Sequence, residues 1–110
     1  MGQMLKCVSP IDGSVYAERE VLSRDAAFEA AARARAAQAA WAARSLQERV
    51  DLVMAGVAAV GAMNDEIVPE LAHMMGRPVR YGGEWGGFNE RASHMAEIAE
   101  SSLADIAVGE

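Results

Sequence analysis

The sequence predicts a mostly α-helical chain opened by a β-hairpin, and three observations carry that prediction. Alanine supplies 23 of the 110 residues and follows helical spacing; it is the best helix former. A Pro10-Ile11-Asp12-Gly13 turn leads into residues that alternate with period two, the pattern of paired strands. A Ser45-Leu46-Gln47-Glu48 capping box and a Gly76-Arg77-Pro78 stop punctuate the remainder. The expected organisation is an extended segment and hairpin over 1–22, then a helical region over 23–110 with helices near 23–43, 45–63, 65–75 and 84–106. Ile, Leu, Val and Phe number only 22 in all. That makes a thin core, because ordering the backbone costs roughly 1–2 kcal/mol per residue.

Each element has a local reason. Val8 and Ser9 lead into the Pro-then-Asp-Gly turn, after which Val15, Ala17 and Val21 alternate with Tyr16, Glu18 and Glu20. Arg19 interrupts the apolar side, so that face is expected to be half exposed. Ser23 is a natural N-cap, with Asp25 in the first turn to complement the helix dipole. In the alanine run that follows, Phe28, Ala31, Arg35 and Ala39 lie on one line, and Trp41 stands near its end.

The capping box opens the second helix, where Val50, Val53, Val57 and Val60 form the stripe of a helix with one buried side. Asn64-Asp65-Glu66 reads as a break and a new start. Pro69 either falls in or near the first turn of the next helix or kinks it. Ile67, Val68, Leu71 and Met74/Met75 are expected to continue the buried face until Gly76 takes the left-handed position and Pro78 forbids continuation. Trp85, Phe88, Ala92, Met95, Ala99, Leu103 and Ile106 then step along one apolar stripe of a last helix.

Composition excludes several classes. A net charge of -6, with a single lysine, argues against a nucleic-acid partner. No run of about 20 apolar residues is present, so no membrane span is expected. The opening residues have no apolar run after Lys6, unlike a secretory signal. Cys7 is the sole cysteine, which rules out an internal disulfide and makes a reducing, cytoplasmic setting the default.

No catalytic constellation emerges from the residues. Cys7 lies in a strand, while His73 and His94 fall on helices expected to be distant from it, so a small, partly buried thiol is the preferred reading. Glu70 before His73, and Glu90 and Glu97 around His94, have the spacing of ordinary helix-surface contacts. Tyr81-Gly82-Gly83-Glu84-Trp85-Gly86-Gly87-Phe88 lacks both phosphate-binding glycine patterns, and Glu84 would repel a phosphate. Arg33, Arg35, Arg44 and Arg49 interleave with Glu29, Glu48 and Asp51, as on a solvated, salt-bridged face. Asp65, Glu66 and Glu70 read as dipole complements rather than as an acid/base pair. Catalytic, cofactor-binding and metal-binding residues are therefore all expected to be absent.

Taken in order, the segments resemble the N-terminal portion of the aldehyde dehydrogenase superfamily. Ser9-Pro10-Ile11-Asp12-Gly13-Ser14-Val15-Tyr16-Ala17 resembles its opening hairpin, with Ser9 in place of the usual Asn. Ala30 to Trp41-Ala42 resembles its first helix, and Ser45-Leu46-Gln47-Glu48-Arg49 the start of the next. Met75-Gly76-Arg77-Pro78 stands where T-G-K/R-P usually lies, and Gly83-Glu84 resembles the start of the long helix.

The resemblance implies a partial piece of an α/β cofactor-binding domain, a single incomplete domain ending before the parallel sheet is built. It also implies NAD- or NADP-dependent oxidation of aldehydes to acids by a larger, homo-oligomeric parent. In that family a cysteine thiolate attacks the aldehyde, hydride passes to the nicotinamide, and a glutamate activates water for hydrolysis. The motifs for those roles, G-S-T-x-x-G, E-L-G-G and G-Q-x-C, do not occur here. The expectation is an inactive fragment that binds no cofactor alone and whose partner is the remainder of such a chain. The alternative is a stand-alone helical interaction module, or a truncated remnant, using Met54, Met63, Met74, Met75 and Met95 on a partner.

Overall fold

Local turn chemistry sets the start of the chain. In the computed structural model, which describes residues 2–109, strands β1 (Met4–Val8) and β2 (Val15–Glu20) pair antiparallel around Pro10–Gly13. Ser9 is only 1% exposed, yet its polar groups are satisfied by the turn. Its N–H donates to the Ser14 carbonyl at 2.8 Å, its carbonyl accepts from Gly13 at 2.9 Å, and its hydroxyl accepts from Ile11 N–H at 3.3 Å. Gly13 supplies the left-handed φ of 76° that closes the turn. β1 starts at Met4, and Val21 falls just beyond β2, where its N–H still donates to the Gln3 carbonyl.

Helices α1 (Arg24–Ala42), α2 (Leu46–Ala62), α3 (Asn64–Met75) and α4 (Trp85–Leu103) follow, with a short 3-10 turn at Val79–Tyr81. The fold is thus mostly helical with an N-terminal hairpin. Ser23 caps α1 by accepting from Ala26 N–H at 3.1 Å. The capping box at α2 is complete: Glu48 N–H donates to the Ser45 hydroxyl at 3.2 Å, and Ser45 N–H donates to the Glu48 carboxylate at 2.9 Å. Gly76 ends α3 at φ 74°, its N–H reaching the Ala72 carbonyl. Between α2 and α3 only Met63 intervenes, and the axes turn by 68° there. Pro69 lies inside α3 rather than in its first turn. No single described helix is long and apolar enough to cross a membrane.

Packing is uneven. α2 lies along α4, α3 meets the hairpin, and α1 has no buried residue. Among the described residues the buried apolar side chains are Val57 and Ala72. Trp85 ties α4 to α2 by donating its indole N–H to the Val57 carbonyl at 3.0 Å. A Cβ placed on Gly61 would stand 2.5 Å from the indole Cε2 and Nε1, so only glycine admits the ring.

Several expected faces are turned from where the apolar pattern put them. On α2, Val57 is buried and Val50 and Val60 are half-buried, but Val53 is exposed. On α3, Met74 and Met75 are exposed, while Ile67, Val68 and Leu71 are half-buried beside Ala72. On α4 the half-buried line is Trp85, Asn89, Ala92, Ala96 and Ala99; Phe88, Met95 and Leu103 stand outside it, and Ile106 lies beyond the helix. Alanines let α4 approach α2 closely, whereas a line of bulky side chains would hold the helices apart.

Candidate functional site

Two concave surfaces emerge from this arrangement. The first is a trough of about 240 Å³ between α2 and α4, with Trp41 at the end of α1 as one wall. Val50, Val53, Met54 and Met95 give it an apolar floor, beside alanines of α4. Because the capping box starts α2 at Leu46, Arg49 falls one turn before Val53 and lines the same trough. Its Nε is buried and has no hydrogen-bond partner. The second is a groove of about 480 Å³ between the hairpin and α3, where Cys7, Tyr16, Glu70 and Met74 meet.

At that second surface Tyr16 and His73 stack, with ring centroids 5.0 Å apart and planes within 3°. The hairpin therefore lies against His73, contrary to the expectation that both histidines are remote from the Cys7 strand. The Cys7 thiol itself points to the Met74 carbonyl at 3.7 Å. A carbonyl is no base, so this contact does not activate a nucleophile. His94 lies elsewhere, on an open surface with Gly87, Glu90 and Arg91. Among the described residues no group of three His, Cys, Asp or Glu side chains could hold a metal ion.

The shifted carboxylates serve local structure. The Ser14 backbone N–H and hydroxyl hold Asp12 below its ordinary carboxylate value. The Ser45 backbone N–H and hydroxyl do the same for Glu48. Both are a turn brace and a helix cap rather than an acid/base pair.

A dinucleotide does not fit the glycine cluster. Gly82 turns the chain at φ 66°, and a Cβ on Gly83 would lie 2.5 Å from the Asn64 side-chain oxygen, so Gly83 is used for close packing. Glu84 precedes the free amides of α4 and is ion-paired with Arg77. The Glu84 carboxylate makes no hydrogen bond to those amides, but its negative charge beside the helix entry disfavours a phosphate there.

The arginine face also differs from its expected character. Among the described residues the ion pairs are Lys6–Glu18 and Arg77–Glu84, so Arg33, Arg35, Arg44 and Arg49 are not salt-bridged, and Arg49 is drawn into the trough. The signal was available in the spacing, since Arg49, Val53 and Val57 step by fours on one helix line. The methionines form no common stripe either. Met54 and Met95 meet at the trough, Met74 lines the hairpin groove, and Met63 stands at the α2–α3 corner.

Residues 1–106 match the family profile described as the aldehyde dehydrogenase family. Neither a curated protein nor a solved structure matches the chain.

Proposed function

This chain belongs to the aldehyde dehydrogenase family, and from that premise we propose that it is a supporting piece of such an enzyme rather than its catalytic part. The observation that carries the reading is surface left uncovered. The chain exposes 8967 Å², against about 5,900 Å² for a compact monomer of its mass. Its radius of gyration is 19.4 Å, against about 13 Å for a compact domain of this length. Phe28, Val53, Phe88, Met95 and Leu103 are all exposed, an apolar excess that a larger fold would cover.

In the reading proposed, the remainder of a family chain is the partner, homo-oligomerisation belongs to that larger enzyme, and the setting is cytoplasmic. NAD or NADP would supply hydride acceptance, held by residues outside these 110, since the glycine cluster does not fit a phosphate. What this chain's own residues contribute is shape. Trp85 and Gly61 lock α4 to α2, and the pair presents one apolar trough to a covering layer.

Complementation tests this directly. The chain is added to a family enzyme from which the matching opening region has been deleted, and NAD(P)H formation from an aldehyde is followed. The expected result is no turnover by either piece and turnover by the mixture. Aldehyde oxidation by the chain alone, or association without any recovery of activity, would sink the reading.

A further inference from the structure

We draw no further inference here: the strongest candidate, the apolar trough between α2 and α4 lined by Trp41, Arg49, Val53 and Met95, carries nothing because nothing in the structure shows what covers it.

Discussion

α1 and α2 carry equally good helix signals, yet α1 is bare while α2 is packed against α4. α1 has a Ser23 cap, an acidic first turn and 19 residues of mostly alanine, and it buries none of them. α2 has a capping box, but what sets it apart is the indole of Trp85 seated over Gly61 and bonded to the Val57 carbonyl. Propensity and capping decide that a segment is helical. Shape and a satisfied polar contact decide that it stays against a neighbour.

Removing the anchor should break the contrast most. Trp85→Ala deletes the ring and the hydrogen bond together, and should cost the helix pair about 3 kcal/mol, the low end for a tryptophan because the site is only half-buried. Hydrogen exchange should show α2 and α4 amides losing protection while α1 amides keep theirs. Equal loss in α1 would mean that the two regions are coupled after all. Next in size is Gly61→Ala, whose methyl must displace the indole. Overpacking of this kind should cost about 2 kcal/mol, read as a red shift of Trp85 emission in a Trp41→Phe background.

Acid should produce a smaller, more local change. Glu48 has a folded pKa below its unfolded value, so its stabilisation is present above the unfolded value and fades as pH falls through the folded one. The first turn of α2 should therefore fray as the pH drops below the ordinary carboxylate range. Glu48→Gln should remove that dependence, measured by NMR shifts of residues 46–49, whereas Ser45→Ala, which keeps the backbone N–H at 45, should only weaken it. An unchanged acid response in Glu48→Gln would show that the capping box is not its source. Smallest of all is Phe28→Ala in α1. With the ring 63% exposed, it should shift stability by no more than about 0.5 kcal/mol in thermal melts. A larger loss would reveal packing of α1 that its exposure denies.

Much of the fold was legible because the signals that mark helix ends are local. Ser23, Ser45 with Glu48, and Gly76 each act within four residues, so their effects survive whatever surrounds them. The same holds for the Pro10–Gly13 turn, where Ser9 performs by its hydroxyl the bracing expected of an Asn. The candidate site was less legible. Arg49 reads from composition as one of four surface arginines, and only the meeting of Trp41, α2 and α4 turns it into the lone charge of an apolar trough. His73 reads as remote from Cys7 by more than 60 positions, until α3 carries it back to Tyr16.

Local signals in the chain fix the starts of α1 and α2 and the stop of α3, since serine caps and glycine act through the backbone of the nearest turn, whereas the apolar stripe of α4 runs on to Ile106, past the helix end at Leu103. Composition likewise shows that the chain's apolar matter is sparse. Which side of each helix faces inward is settled by packing between helices. Phe88, Met95 and Leu103 form the stronger apolar line on α4, but Ala92, Ala96 and Ala99 face α2, because Trp85 over Gly61 draws the two helices too close for large side chains between them. Helical periodicity offers adjoining faces that differ by a fraction of a turn, and the choice between them belongs to the neighbour.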